Sequence, residues 1–325
     1  MLHQILSVAA ISLAPALPTL VLMTEVRAQT TAPAAADGGY VRPAPPGRLV
    51  DVGGGRRLHI HCKGSGDGPA VIFEAGLSQY TANTTYGRAQ DAIAPFARVC
   101  TYDRAGLGWS DPAPAGWTQA GMVADLHRLL EAAEVKGPYI LVAHSLGGLL
   151  ARSYVRAYPG EVAGLVLVDA TSDRNFGELE AATAATVPQI DAALASSRPG
   201  VPVVGLPPGT SPEVSMAFTP EILRGVKTEF EALGRLPPAM KQPGGFGTLG
   251  DLPLIVIRRG KASQPPSEAD LNHRAGQEAL AALSTDSVLV TAENSGHTIP
   301  LDEPQVVADA VRRMIDAVRT KKPLR

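Results

Sequence analysis

Hydrophobic and polar residues along this chain follow two periods, and each change from one to the other marks the border of an element. Residues 48–52 and 57–62 alternate apolar and polar on either side of Gly53, Gly54 and Gly55, the pattern of an opening hairpin. Residues 70–73, 98–102, 140–143, 162–168, 252–257 and 287–291 are short apolar runs closed by turn residues, which predicts strands, the buried ones covered on both faces of a parallel sheet. Between the runs the spacing becomes helical. Met122, Leu126, Leu129 and Leu130 share one face of a helix predicted over 118–134, with Thr118 as its N-cap. Leu149, Leu150, Tyr154 and Val155 repeat at helical spacing until Tyr158, Pro159 and Gly160 stop them. Two further helices are predicted over 267–283 and 305–318, the second capped by Asp302. Strands alternating with helices imply a mostly parallel sheet with right-handed crossovers, whose functional groups collect at the carboxyl ends of the strands.

Two stretches leave this rhythm. From 172 to 250 the chain breaks into short helical pieces, around 179–194 and 220–233, separated by loops rich in Pro and Gly. That is too long for a simple crossover and predicts a cap inserted between core segments 48–171 and 251–320. Its scattered Phe176, Phe218, Phe230 and Phe246 suit either an apolar pocket or ordinary packing. At the start, residues 5–23 are apolar and end before Val26 and Ala28, which resemble a signal-peptidase site. Residues 1–28 are therefore read as a signal peptide cleaved after Ala28, and 29–47 as a flexible linker rich in Ala, Pro, Gly and Thr. This predicts a secreted or periplasmic protein with no stable membrane span after cleavage. The leading region holds His3 but no Lys or Arg, so an uncleaved membrane anchor is the alternative.

Composition narrows the function. The 325 residues carry a formal charge of −2 and no long run of like charges, which argues against nucleic acid as a partner. The glycines after residue 103 do not follow the G-x-G-x-x-G spacing and no Gly-Lys-Ser/Thr succeeds them, so no phosphate cradle, cofactor or metal is implied. An oligomeric state is not specified either. What remains is chemistry at strand ends: Ser145 in a one-turn link between the strand 140–143 and the next helix, Asp169 after the strand 162–168, and His297 after the last strand.

The stretch His144, Ser145, Leu146, Gly147, Gly148 resembles the nucleophile elbow G-x-S-x-G of the α/β-hydrolase family, with Ala143 in place of the first glycine. The D-R-x-G-x-G-x-S pattern at 103–110 and a late Ser-Gly-His at 295–297 extend the resemblance over nearly all of 49–318. It implies an α/β fold, an eight-stranded-type, mostly parallel sheet flanked by helices with an inserted helical cap, and a serine hydrolase acting on a small-molecule acyl substrate. By the same resemblance Ser145 is the nucleophile and His297 the base. The backbone N–H groups of Leu77 and Leu146 are the oxyanion donors, and the D-R-x-G-x-G-x-S loop is structural. The acid is Asp169 on strand-end geometry, with Glu268 or Asp270 as the alternative one strand later; Asp169 could instead cap the first cap helix. His144 reads as packing or pocket wall. A carboxylic ester is the leading substrate, while amidase, lactonase, aminopeptidase and acyltransferase chemistry use the same constellation, and a non-catalytic ligand-binding homologue is the reading from another class. In this sheet order Cys62 and Cys100 sit on neighbouring strands, where a disulfide and a pair of buried thiols are both chemically reasonable.

Overall fold

The computed structural model describes residues 42–78, 85–207, 209–242 and 244–324. The predicted signal peptide, its cleavage site and most of the linker lie outside them.

Eight strands form one sheet in the order β1-β2-β4-β3-β5-β6-β7-β8. They are β1 (Arg48–Asp51), β2 (Arg57–Lys63), β3 (Val71–Glu74), β4 (Val99–Tyr102), β5 (Tyr139–His144), β6 (Val162–Val168), β7 (Leu254–Arg259) and β8 (Ser287–Ala292). β1 and β2 pair antiparallel, as do β2 and β4, and every other pairing is parallel. The helices that cross over between parallel strands are α1 (Gly87–Ile93), α2 (Gln119–Ala132), α3 (Gly147–Ala157) and, after a longer excursion, α7 (Glu268–Ala281). α8 (Ile299–Asp302) and α9 (Pro304–Thr320) close the chain.

Alternation along the central strands explains the two layers. Leu141, Ala143, Leu165 and Leu167 face α2 and α3, packing with Leu126, Leu129, Leu149 and Leu150. Ile140, Val142, Val166 and Val168 face the other way, onto Ala89, Ile93, Val307, Val311 and Met314 of α1 and α9. Each central strand is thus apolar on both faces, which is why its sequence reads as a continuous run.

Several expectations are refined. α1 has only seven residues and its pattern carries no strong period, so its burial of Ala89, Gln90 and Ile93 is a product of packing. Asp302 does not cap the final helix: Glu303 lies between α8 and α9 and takes the N-cap position, and Asp302 Oδ2 instead accepts hydrogen bonds from Ser295 and Thr298. The end of the predicted linker is docked, since Pro43 O accepts from Trp109 Nε1 at 2.7 Å and Gly47 N donates to His59 Nε2 at 3.1 Å. Cys62 and Cys100 stand opposite each other in the β2–β4 ladder and are joined by a disulfide.

Between β6 and β7 lie α4 (Phe176–Ala195), α5 (Pro212–Met216) and α6 (Pro220–Gly234), close to the pieces expected there. Ile190, Met216, Ile222, Val226 and Phe230 make a small core of their own, completed by Leu107 and Trp109 from the loop after β4. Three of the four phenylalanines serve packing: Phe230 is fully buried, and Phe176 stacks on Phe246 with ring centroids 5.9 Å apart.

Candidate active site

The turn from β5 into α3 is built for close approach. Ser145 has φ +53°, a left-handed conformation that an L-residue adopts at a cost of roughly 1–3 kcal/mol and keeps only where its surroundings hold it. Here Ser145 O accepts from Gly148 N at 3.0 Å and Thr171 N at 2.9 Å, while Ser145 N donates to Val168 O at 3.2 Å. A Cβ on Gly147 would fall 2.2 Å from Glu74 O, and one on Gly148 2.5 Å from the Ala170 Cβ. Both positions therefore exclude side chains, whereas Ala143 is accommodated fully buried within the strand.

His297 arrives from the loop after β8 and reaches both partners. Its Nε2 lies 3.0 Å from Ser145 Oγ and its Nδ1 2.6 Å from Asp169 Oδ2. Asp169 follows β6 at φ +42° and is almost wholly buried. Burial alone would push its pKa up, but the close contacts with His273 and His297 outweigh this and hold it well below the usual carboxylate range. An ionised Asp169 only accepts, so the proton sits on His297 Nδ1 and leaves Nε2 free to accept from the serine.

Glu268 and Asp270 lie elsewhere. Glu268 is exposed at the start of α7. Asp270 closes a capping box with Ser267 and binds Ser263, and these hydrogen bonds hold its pKa below the usual range. Asp169 does not act as the helix cap considered for it.

Two residues that sequence reasoning passed over, and a third that it read as packing, complete this environment. Arg259, at the end of β7, donates its backbone N–H to Asp169 Oδ1 at 3.0 Å and its guanidinium to Oδ2 at 3.2 Å. His273 Nε2 sits 2.8 Å from Oδ1, outside the geometry of a directed hydrogen bond. Strand-end position could have singled out Arg259; nothing local points to His273, which meets Asp169 across 104 residues of chain. His144, read as packing, is a strut. The Tyr86 hydroxyl is 3.1 Å from its Nδ1, and its Nε2 lies 2.8 Å from the carbonyl of His297. Burial, with His297 beside it, lowers the His144 pKa to about 3, so the ring is neutral and donates from Nε2.

The two backbone groups expected to bind an oxyanion are unpaired: among the described residues neither Leu77 N–H nor Leu146 N–H has a partner. Leu146 stands at the start of α3, where N–H groups have no intrahelical acceptor and the helix dipole favours negative charge. Two polar groups of the D-R-x-G-x-G-x-S loop tie it to β2 and to itself. Asp103 accepts from His59 at 3.0 Å and from Trp109 N at 2.9 Å, and Ser110 Oγ accepts from His59 N at 2.9 Å.

The arrangement can carry a hydroxyl, an imidazole and a buried carboxylate in series beside two unpaired N–H groups. The sequence matches that of the alpha/beta hydrolase family over residues 64–310. An uncharacterized protein of Bacillus subtilis (strain 168), YqjL, is 28% identical over 253 residues, covering 77% of this chain and 85% of that one. The 2-(acetamidomethylene)succinate hydrolase of Mesorhizobium japonicum is 24% identical over 292 residues, covering 83% and 95%. Among solved structures, a thermophilic esterase from Thermogutta terrifontis superposes with a TM-score of 0.58 at 18% identity, covering 83% of this chain and 98% of that one.

Proposed function

Because the chain belongs to the alpha/beta hydrolase family, we propose that it is a serine hydrolase cleaving a carboxylic ester through a Ser145–His297–Asp169 triad. The observation that carries this reading is the continuous path from Ser145 Oγ through His297 to Asp169, at 3.0 and 2.6 Å. Ser145 Oγ attacks the acyl carbon while His297 Nε2 takes its proton, and Asp169 stabilises the imidazolium that forms. The carbonyl oxygen, now negative, is held by the N–H groups of Leu77 and Leu146, each donor being worth about 3 kcal/mol. His297 then gives the proton to the leaving alkoxide, and the C–O bond breaks to leave an acyl-enzyme. Water, deprotonated by His297, attacks the acyl carbon and frees the acid and Ser145. Residues 172–250 form the cap in this reading, which their separate small core and the bond between Glu229 and Ser78 N–H support. Residues 1–28 are a signal peptide, and the Cys62–Cys100 disulfide accords with an exported protein.

The test is hydrolysis of p-nitrophenyl esters from acetate to long acyl chains, with Ser145→Ala as control and the matching anilides alongside. Turnover lost in the control supports a serine esterase. Preference for the anilides moves the substrate to an amide, the bond class that the succinate hydrolase relative brings into view. A folded protein that neither turns over any of these nor is labelled at Ser145 by a fluorophosphonate is a non-catalytic ligand binder.

A further inference from the structure

The loop leaving β3 is held from three sides, with one N–H left over. Gly76 N–H donates to the Tyr86 hydroxyl at 2.8 Å. Ala75 O and Gly76 O accept from the two guanidinium nitrogens of Arg104 at 2.8 and 2.6 Å. Ser78 N–H donates to Glu229 Oε2 at 2.8 Å, and Ser78 itself stands at φ +58°. Between these fixed groups the Leu77 N–H has no partner among the described residues. The Gly76–Leu77 peptide is trans, so its C=O and N–H point in opposite directions. With the carbonyl seated on Arg104, the Leu77 N–H must face away from the guanidinium. The side of the loop near Glu74 and Ala75 abuts the elbow, where a Cβ on Gly147 would meet the carbonyl oxygens of both.

Arg104 is itself fixed by two carboxylates. Glu74 Oε1 accepts from its Nη1 at 2.8 Å, Glu229 Oε1 accepts from its Nε at 2.5 Å, and the Tyr102 hydroxyl donates to Glu74 Oε2. All three charged residues are buried, with exposures of 1% for Glu74, 2% for Arg104 and 0% for Glu229. A buried ion cluster is a poor way to add stability, because desolvating the charges cancels most of their attraction and apolar packing would do as well. Directionality is what such a cluster adds. Its third member comes from α6, in the segment between β6 and β7, so this segment reaches into the core to hold the same loop twice: through Arg104 and through Ser78 N–H.

We infer that Glu229 is a positioning residue for hydrolysis: through Arg104 and the Ser78 N–H it sets the Leu77 N–H as an oxyanion donor, so that the site is complete only while α6 is docked. The inference rests on the serine-hydrolase reading above. It makes the inserted segment part of the catalytic geometry as well as a candidate wall for substrate.

The experiment measures kcat and KM on the best p-nitrophenyl ester, and the affinity of an alkyl boronic acid that forms a tetrahedral adduct on Ser145, for wild type, Glu229→Gln, Glu229→Asp and Glu229→Ala. Glu229→Gln is nearly isosteric and keeps an oxygen for Ser78 N–H while removing the charge that orients Arg104. The expected result is a fall in kcat of about tenfold to a hundredfold, less than or equal to the loss of a whole donor. KM should change by less than about threefold, and boronate affinity should fall in step with kcat/KM. Glu229→Ala is expected to lose more, and Glu229→Asp to recover part. A folded Glu229→Gln protein with wild-type kcat and boronate affinity, even if it melts at a lower temperature, overturns the inference, because a purely structural cluster would move stability alone. Should Glu229→Ala fail to fold, the Gln and Asp variants carry the decision. Wild-type protein without Ser145-dependent turnover would overturn the hydrolase reading and this inference with it, whereas turnover lost in Ser145→Ala but intact in Glu229→Gln overturns only the second.

Discussion

At the scale of single residues, the site concentrates conformations that side chains ordinarily avoid. Ser78, Ser145 and Asp169 all have φ between +42° and +58°. Such residues persist where the surroundings over-determine them; all three follow the carboxyl ends of strands, and Ser145 and Asp169 flank one histidine. If Asp169 fixes the His297 tautomer, Asp169→Asn lowers kcat by about 10⁴-fold with the fold intact, measured on the ester that wild type cleaves best. His144 supports a second prediction. Its pKa in the folded protein is about 3 against 6.5 in an unfolded chain, so between those values the unfolded state binds the extra proton. The stability from this group is therefore full above pH 6.5 and drains away as pH falls toward 3. From pH 7 to 4.5, urea unfolding in a Ser145→Ala background should show about 2–3 kcal/mol more loss than in the same background carrying His144→Asn. Equal losses would mean that His144 is not held neutral by the fold.

Elements place these residues by contacts that leave little slack. α3 can begin where it does because Gly147 passes against the end of β3. Adding one methyl there, in Gly147→Ala, meets backbone at 2.2 Å, which something must yield to. The expected cost is about 1–3 kcal/mol by thermal unfolding, together with reduced turnover, since the elbow cannot shift without moving Ser145. The antiparallel side of the sheet is secured differently. The Cys62–Cys100 bridge closes a sequence separation of 38, spanning β3, α1 and the first half of β4. Loop-closure entropy for that length predicts that the double Cys→Ser variant is less stable by about 3–4 kcal/mol in urea. An unchanged midpoint would show that the denatured chain does not gain the freedom that this argument assigns to it. Neither cysteine touches the triad, so kcat is expected to hold.

For the molecule as a whole, the sheet acts as a gathering device. Leu77, Ser145, Asp169 and His297 follow β3, β5, β6 and β8, which are scattered over more than two hundred residues of chain, and the parallel arrangement brings their carboxyl ends to one edge. The amino-terminal approach takes part in the same packing. Residues 43 and 47 bond to Trp109 and His59, and the Arg42 guanidinium donates to Gly108 O. A chain beginning at residue 48 is therefore expected to unfold with about 1–3 kcal/mol less stability than one beginning at residue 42, since two hydrogen bonds to the loop after β4 and one to β2 are removed. Identical unfolding curves would reduce those contacts to surface decoration. Among the described residues no helix is long and apolar enough to cross a membrane.

Local physics made much of this visible in advance. Strands apolar on both faces, the small residues after Ser145, Thr118 as the cap of α2, and the serine and histidine at strand ends are short-range signals, because periodicity, steric size and capping act within a few residues of one another. Contacts between distant segments left no such mark. That Arg259 and His273 crowd the Asp169 carboxylate, that His144 braces the histidine loop, and that Glu229 reaches from α6 to Arg104 were decided by the tertiary structure. Each depends on where remote strands and helices come to rest, and a carboxylate or guanidinium looks alike in sequence whether it will be solvated or buried. The sequence by itself determined the layers of the fold and set the serine and the histidine at strand ends; only the packed structure decided which charges would be brought in from elsewhere to surround them.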